Sequence, residues 1–487
     1  MITGILILLP LIGSVFVMFS LKEGAIRRNA LFVATAEFII SVIALLKHTS
    51  GPDHRGDIFS INWISNLDLK LSFGTDGLSL LMVLLTTLLI VIIILASGSF
   101  RSRRANIFYG LILISESALI GVFTALNGLV FYIFWELALV PVYFIVAIWG
   151  GEGKIRITFK FLIYTLTGSL MMLAALIWVY FKTPEPHSFS FSALYAAATT
   201  KGSQIWLFAA FFTAFAIKIP LVPFHTWQAD TYAVSPPAGS MILAGIMLKM
   251  GIYGMIRFLI PMCPLALEDL RIWVLILITA GIIYSSIIAL KQDDLKKFLA
   301  WVSIAHVGLI SAAVLSVNRI ALQGAVFQML AHGVNIIALF IIVDLLEKRF
   351  NTRNISELGG IARKMPTLSV LFILTVLGTI ALPLTNGFAG EFTMLLGLFS
   401  FNPYIAGVAG LTIIFGAWYM LRMYQQVMLG NPVDEKIQPV QLSTSDSVAL
   451  VILVLIIIVT GIWPRPLMDL SSPAIDNILN SVSILTN

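Results

Sequence analysis

The sequence predicts an all-α polytopic membrane protein of about fourteen transmembrane helices, ten of them in two inverted five-helix repeats. The 487 residues are 59% hydrophobic and only 11% charged, and the mean hydropathy is +0.99. Apolar runs of about 18 residues or more, long enough to cross a hydrocarbon core, recur along the whole chain. Proline and glycine interrupt the seventh and twelfth runs, which predicts a broken helix in each repeat.

The apolar runs define the predicted spans, and one polar connection stands out. The connection at 48–76 contains two alternating segments, 59–63 and 67–73, which are typical of a small β-hairpin. The predicted spans lie near 2–20, 31–47, 77–97, 107–125, 128–149, 160–181, 204–224, 238–260, 271–290, 299–317, 320–346, 367–395, 403–428 and 446–463.

Basic residues concentrate in the odd-numbered connections, which predicts that these connections are cytoplasmic and that both termini lie on the periplasmic side. The even-numbered connections hold Arg55, Lys70, Lys182, Lys201, Arg257, Arg271 and Arg319. The odd-numbered connections hold Lys22, Arg27, Arg28, Arg101, Arg103, Arg104, Lys154, Arg156, Lys160, Lys291, Lys296, Lys297, Lys348, Arg349, Arg353, Arg363, Lys364 and Lys436.

The two interruptions suggest an internal repeat. Pro220 and Pro223 break the seventh span, and the segment LPLTNGFAGE breaks the twelfth. The two broken spans are five apart, and spans separated by an odd number cross the membrane in opposite directions. The breaks therefore take equivalent positions in two five-span units of opposite orientation. The predicted divisions are 1–106, comprising three helices and a periplasmic-side loop; 107–260, the first repeat; 271–428, the second repeat; and 446–487, the last helix and a tail.

Several kinds of chemistry are excluded within this chain. A single cysteine, Cys263, cannot form a disulfide framework or hold a cysteine-ligated iron–sulfur cluster. The sequence has no dinucleotide-binding fingerprint, no Walker A loop and no HExxH motif. The net charge of +6 comes mostly from basic residues in the connections between spans, so it does not predict binding to nucleic acid. The amino-terminal run lacks a cleavage site, so we expect an uncleaved first helix.

Ionisable residues inside the apolar runs carry the functional prediction. A charged side chain at the centre of a bilayer costs about 2.5–3.5 kcal/mol on insertion scales, so such residues face protein or water. Acids, lysines and histidines placed in a row can pass protons by changing their pairings. The residues are Glu116, Glu136, Lys218, Lys249, His306, His332 and Glu391.

Each of these residues also has a purely structural interpretation. Glu116 is equally well a partner of a lysine, and Glu136 fits a neutral acid that is merely hydrogen-bonded. The two lysines can pin helices together through salt bridges. Taken singly, each histidine fits a hydrogen-bonded core position, and Glu391 fits a helix cap at the break. These alternatives remain open from the residues alone.

Longer motifs around these residues resemble the antiporter-like membrane subunits of respiratory complex I, the NADH:quinone oxidoreductase. Together the motifs cover nearly all of residues 70–430. The matching stretches are DGLSLLM (76–82), FYIFWELALVPVYF (131–144), KFLIYTLTGSLMML (160–173), KIPLVPFHTW (218–227), SPPAGSMILAGIMLKMGIYGMIRF (235–258), DDLKKFLAWVSIAHVG (293–308), QMLAHGVNIIALF (328–340), TRNISELGGI (352–361) and GFAGEF (387–392).

The resemblance implies proton translocation driven by quinone reduction elsewhere in a complex. By motif, Glu136 and Lys218 match a coupling pair and Lys249 a central relay lysine. The resemblance also implies relay roles for His306 and His332, a terminal carboxylate at Glu391 and a second acid at Glu116. We therefore expect an ion pair between Glu136 and Lys218, the order Lys218–Lys249–His332–His306–Glu391, and proton release at Glu391 on the exit side.

The same resemblance implies that NADH, FMN, iron–sulfur clusters and quinone bind to partner subunits, with no cofactor or metal in this chain. The implied partners are L-type and N-type antiporter-like neighbours and a small K-type subunit, in a bacterial inner membrane. Two competing functions are an Mrp-type sodium/proton antiporter subunit and a structural scaffold; the scaffold leaves the buried charges unexplained. The chain departs from the family pattern at QADTYAVSPP (228–237) and at Leu384, where glycine is usual.

Overall fold

The computed structural model describes residues 2–20, 22–48, 57–64, 69–99, 104–197, 199–431 and 442–486 as a helical bundle with one small hairpin. The helices are α1 Ile2–Met18, α2 Glu23–Lys47, α3 Gly77–Ala96, α4 Ala105–Thr124, α5 Gly128–Trp149, α6 Lys154–Tyr180, α7 Phe191–Tyr195, α8 Lys201–Lys218, α9 Gln228–Val234, α10 Pro237–Ile242, α11 Leu248–Gly254, α12 Ile260–Met262, α13 Pro264–Ala289, α14 Leu295–Leu315, α15 Arg319–Phe350, α16 Pro366–Thr379, α17 Asn386–Phe401, α18 Pro403–Tyr424, α19 Thr444–Ile462 and α20 Arg465–Thr486.

Two π-helical turns, Leu243–Met247 and Met255–Leu259, join α10, α11 and α12 into one continuous helix. In the described part of the chain, 11 helices are long and apolar enough to cross a membrane, and two further apolar helices, α1 and α16, are shorter. The chain is therefore an integral, multi-pass membrane protein.

The hairpin predicted in the long polar connection is confirmed. Strands β1 Phe59–Ile64 and β2 Leu69–Phe73 pair antiparallel, with Phe59 opposite Phe73. Asn127 ties β2 to the bundle, because its side-chain amide donates to the Lys70 carbonyl while its oxygen caps the start of α5. Arg55, Arg101, Arg103 and Lys436, used in the loop-charge argument, lie outside the described residues.

Both predicted helix breaks are present. Helix α8 ends at Lys218, and a stretch of turns leads to α9. Helix α16 ends at Thr379, and α17 begins at Asn386 after turns that contain Pro383. Proline supplies no backbone donor and cannot continue the hydrogen-bonding ladder, which explains why each helix stops there.

The second break contains a strained residue, Leu384. Its φ of 73° lies in the left-handed region, which costs a residue with a Cβ about 1–2 kcal/mol. Its side chain is 68% exposed and contributes little packing. We expect Leu384→Gly to raise the free energy of unfolding by about 1 kcal/mol, measured as a higher thermal midpoint. Leu382→Gly, made at the neighbouring position without a positive φ, is the control and should lower it.

Hydrogen bonds between connections define two faces of the bundle. On one face Gly151 N–H donates to the Val234 carbonyl, and Arg353 binds both the Ala233 carbonyl and Asp294. This face also carries Lys291 and Lys296 and is called the basic face below. The opposite face carries the hairpin, α7 and α20, and is called the hairpin face.

The predicted carboxy-terminal tail is itself a helix. Helix α20 is amphipathic and lies against α3, α13 and α15 on the hairpin face. Arg319 binds the Asp476 carboxylate through two hydrogen bonds of 2.6 and 2.9 Å, and Gln323 donates to Ser472 at 2.5 Å. Helix α20 therefore holds helices from both halves of the chain together.

Candidate functional site

Lys249 lies at the centre of the bundle, where it is fully buried. Its Nζ donates to the Ala244 carbonyl and to Nδ1 of His332, both at 2.8 Å. A π-helical turn changes the normal carbonyl pairing, and the Leu243–Met247 turn contains Ala244. The helix itself therefore supplies one acceptor for the lysine, and α15 supplies the other.

Small residues explain why two helices approach closely enough for this contact. Gly333 follows His332, and a Cβ added there would lie 3.0 Å from the Gly245 carbonyl oxygen. A Cβ on Gly245 would in turn meet the Ile337 side chain at 2.5 Å. Absence of both side chains lets the backbones pack closely, as is common between membrane helices.

His306 and Glu391 form a second buried pair. His306 Nδ1 lies 2.9 Å from Glu391 Oε1, and both side chains are almost wholly buried. The Gln328 amide also donates to that oxygen at 3.3 Å. A Cβ on Gly390 would lie only 2.1 Å from the Gln328 side-chain oxygen, so the glycine makes room for this contact.

A small polar cavity separates the two pairs. The rings of His306 and His332 lie 6.1 Å apart between centroids, and a cavity of about 10 Å³ touches both. Gln328 and Asn335 also line it. Four atoms of these residues have no hydrogen-bond partner in the described part of the chain: both histidine Nε2 atoms, Gln328 Oε1 and Asn335 Oδ1. A space of this size, lined by unpaired polar atoms, suits one water molecule.

The hydrogen bonds assign complementary tautomers to the two histidines. His332 Nδ1 accepts from Lys249, so neutral His332 carries its proton on Nε2. Where Glu391 is the acceptor of the contact with His306, Nδ1 of His306 is the donor, and neutral His306 then leaves Nε2 as an acceptor. One donor and one acceptor therefore face the same cavity. The structure thus places these four residues in the order Lys249, His332, His306, Glu391.

The expected ion pair between Glu136 and Lys218 is not formed. Lys218 is buried, its Nζ has no hydrogen-bond partner among the described residues, and it lies 5.1 Å from the ring centre of Trp135. Glu136 follows Trp135 on α5 and points to a half-exposed face of that helix. Successive helical residues diverge by about 100°, so the tryptophan, and not the acid, contacts the lysine.

Glu116 lies apart from the four central residues and has no lysine partner. It is fully buried on α4, and neither carboxylate oxygen has a hydrogen-bond partner in the described structure. Glu37 on α2 is equally buried and has no hydrogen-bond partner among the described residues, and the two acids interact electrostatically. Glu37 was not among the predicted residues, although it lies inside an apolar run just as Glu116 does.

A polar cluster on the hairpin face was also missed as a site. Asp76 caps α3 by accepting from Ser79 N–H, and its two oxygens lie 2.6 and 2.5 Å from one nitrogen of Arg257. Arg257 Nε also donates to the Tyr253 hydroxyl. A cavity of about 570 Å³ opens beside this cluster. The motif DGLSLLM contained Asp76, but its arginine partner lies 181 residues further along the chain.

Removal of Asp76 should destabilise the protein strongly. Asp76→Ala leaves the Arg257 guanidinium, only 11% exposed, without its carboxylate. Loss of one partner of a buried ion pair costs about 3–5 kcal/mol, and the cap of α3 is lost as well. We expect a clearly lower thermal midpoint and less accumulated protein in membranes. Asp269→Ala, which removes the exposed partner of Lys201, should change neither.

Within the part of the chain that the structure describes, no group of three or more histidine, cysteine, aspartate or glutamate side chains is placed to hold a metal ion. The central residues are suited to a different task, because each can take up and release a proton without a change of fold.

Comparison with known proteins shows the family to which the chain belongs. Residues 125–416 match the model of the family described as NADH:quinone oxidoreductase/Mrp antiporter, transmembrane. The chain is similar to NADH-quinone oxidoreductase subunit M of Rickettsia conorii, with 37% identity over 98% of both proteins.

Two solved structures share the fold. A chain of respiratory complex I from Thermus thermophilus matches with a TM-score of 0.90 and 28% identity, over 98% of this chain and 100% of that one. A chain of the Mrp complex from Dietzia matches with a TM-score of 0.86 and 19% identity, over 99% of each. The chain belongs to the NADH:quinone oxidoreductase/Mrp antiporter transmembrane family.

Proposed function

We propose that this chain is a proton-translocating membrane subunit of an NADH:quinone oxidoreductase. The observation that carries the proposal is the buried sequence of contacts from Lys249 through His332 and His306 to Glu391. Charged and polar groups at this depth are costly and are typical of ion pathways. Relatives named as subunits of that oxidoreductase match the chain over nearly its full length.

The contacts define a sequence of proton transfers. Lys249 gives a proton to Nδ1 of His332, and His332 releases its own Nε2 proton into the cavity between the rings. His306 accepts a proton at Nε2 and passes its Nδ1 proton to Glu391. One proton thus moves from the lysine to the carboxylate, and both rings are left in the opposite tautomer. Reversal of the ring tautomers then prepares the next transfer.

Lys218, Glu136 and Glu116 have more distant roles in the proposal. Lys218 supplies a buried positive charge close to the lysine side of the relay, held against Trp135. Glu136, half-exposed on α5, is available to a neighbouring subunit. Movement of a proton to or from either group changes the field at Lys249, because charges interact strongly where water is excluded. Glu116 and Glu37 form a separate buried acid pair.

The proposed topology has about fourteen spans in two inverted units, at 107–260 and 271–428, flanked by 1–106 and 446–487. It is supported by the paired breaks after α8 and α16, by the 11 long apolar helices of the described part of the chain and by the two shorter ones, α1 and α16. With the basic face toward the cytoplasm, both termini lie on the periplasmic side of a bacterial inner membrane.

The partners follow from this role. NADH, FMN, iron–sulfur clusters and quinone belong to other subunits, and the redox energy reaches this chain through contacts with antiporter-like and small membrane neighbours. An Mrp-type sodium/proton antiporter subunit is the second candidate, supported by the shared fold of the Dietzia chain. The subunit M relative, at 37% identity, favours the oxidoreductase.

Purification of the native complex through a tag on this chain tests the assignment. We expect the complex to oxidise NADH with quinone and to move protons into inverted vesicles, with equal rates in sodium and in choline buffer. Proton movement that requires sodium, in a complex without NADH oxidation, would assign the chain to the antiporter class instead.

A further inference from the structure

The basic face contains a second cavity, of about 420 Å³, that belongs to none of the contacts described above. Its mouth is polar and exposed, and is lined by Lys291, Asp293, Ser356, Arg422 and Gln426. Asp293 fixes one edge by accepting hydrogen bonds from the Ser356 N–H and hydroxyl, at 2.8 and 2.7 Å. Water and protons therefore have ready access to its outer part.

The inner end of this cavity reaches Tyr419 on α18. Tyr419 is 1% exposed, and its hydroxyl has no hydrogen-bond partner among the described residues. Phe298 packs edge-on against the ring at 5.8 Å and fixes its orientation. An unpaired buried hydroxyl is costly, and its partner is expected to be water or a nearby acceptor.

Helix geometry directs this hydroxyl toward Glu391. Helices α17 and α18 pack side by side and meet at Asn402, so they run in opposite directions. Glu391 lies about 15 Å before the turn, and Tyr419 about 24 Å after it, at 1.5 Å per residue. Because helical side chains lean toward the amino end, the two side chains approach each other in depth.

Two further observations support this approach. A Cβ added at Gly416 would lie 3.6 Å from the Tyr419 hydroxyl, so the hydroxyl points back along α18 toward the membrane interior. Glu391 acts electrostatically on the Tyr419 phenol. Glu391 Oε2 is also buried and has no partner among the described residues, since Oε1 takes both the His306 and Gln328 contacts. An unpaired donor and an unpaired acceptor thus lie on adjacent helices in the same part of the bundle.

We propose that the basic-face cavity is a proton path to Glu391 and that the Tyr419 hydroxyl is its last step. The hydroxyl accepts a proton from water in the cavity and gives its own proton to Glu391 Oε2, directly or through one water. Tyrosine is neutral before and after, and one proton has moved. This inference rests on the contacts of the proposed relay but reverses their direction: a proton loaded at Glu391 passes to His306 Nδ1, from His306 Nε2 to His332 Nε2, and from His332 Nδ1 to Lys249, with both rings starting in the opposite tautomer. Glu391 then takes up protons from the basic face instead of releasing them on the expected exit side.

Tyr419→Phe tests the path, because it removes only the hydroxyl and keeps the ring packed on Phe298. In the assembled complex we expect proton pumping per NADH to fall about tenfold or more, the scale for loss of a positioned proton-transfer group. Hydrogen–deuterium exchange of the Glu391 carboxyl, followed by infrared spectroscopy, should slow by a similar factor. Tyr424→Phe on the same helix, whose hydroxyl contacts Ser369, is the control and should change neither.

Gln426→Cys provides an independent test at the cavity mouth. A membrane-impermeant thiol reagent applied to the basic face should label it and block pumping, while Glu152→Cys on an exposed turn of the same face is labelled without effect. The native Cys263 is buried, and the complex without an added cysteine measures any labelling of cysteines in other subunits.

Unchanged pumping and exchange in Tyr419→Phe would overturn the path. If Glu391→Gln also pumped normally, the relay itself would be wrong.

Discussion

Lys249→Met is expected to reduce proton pumping by about a hundredfold or more while the complex still assembles. Lys249 links its own helix to α15 at the centre of the bundle, through the Ala244 carbonyl and His332 Nδ1. Methionine is unbranched, apolar and adaptable in shape, so it fills the space without a buried charge. The measurement is the initial rate of proton uptake by inverted vesicles, normalised to NADH oxidation.

Lys201→Met is the matched control for this change. Lys201 also lies on a membrane helix, but it is exposed and pairs with Asp269 at the hairpin face. Its replacement should leave pumping unchanged. A Lys249→Met complex that pumps at the control rate would show that protons do not pass through Lys249.

Glu391→Gln is expected to lose most pumping, whereas Glu391→Lys is expected to keep part of it. Glutamine can still accept a hydrogen bond from His306 Nδ1 but cannot take up a proton from it. Lysine binds one proton, and the unpaired Gln328 side-chain oxygen is available to accept from it. Both variants are assayed in the same vesicles as Lys249→Met.

Comparison of these two substitutions separates the effect of lost proton binding from the effect of altered packing. Glutamine is nearly the same size as glutamate, so a loss confined to Glu391→Gln cannot be a packing effect. If the Glu391→Gln and wild-type complexes pump at equal rates, Glu391 serves only as a structural cap at the helix break. Equal loss in both variants would mean that shape at this position matters more than proton binding.

Much of the fold follows from local sequence rules. Long apolar runs predicted the helices, alternation predicted the hairpin at β1 and β2, and the prolines predicted where α8 and α16 end. Each of those helices ends close to a proline, which lacks a backbone donor. This effect is local, so it can be predicted without knowing which distant residues pack nearby. The tail beyond Ile462 was not recognised as a helix, because its amphipathic pattern gains stability only by packing on α3 and α15.

The candidate site was predictable as a set of residues but not as a set of contacts. Buried charge identified Lys249, His306, His332 and Glu391, since each interrupts an apolar run. Their partners depend on rotation of each helix about its axis, which hydropathy does not specify. The predicted direct contact between Glu136 and Lys218 is absent for this reason, because rotation of α5 presents Trp135 to the lysine, although the two charges still interact electrostatically.

Infrared difference spectroscopy of the assembled complex tests most directly whether Lys249 and Glu391 belong to one relay. The spectrum is recorded as NADH reduces the complex, and the Glu391 carboxyl band is the one that Glu391→Gln removes. The account predicts that this band no longer responds in Lys249→Met, although Glu391 is intact, and that it responds normally in Lys201→Met. A full response of the Glu391 band in Lys249→Met would contradict the relay.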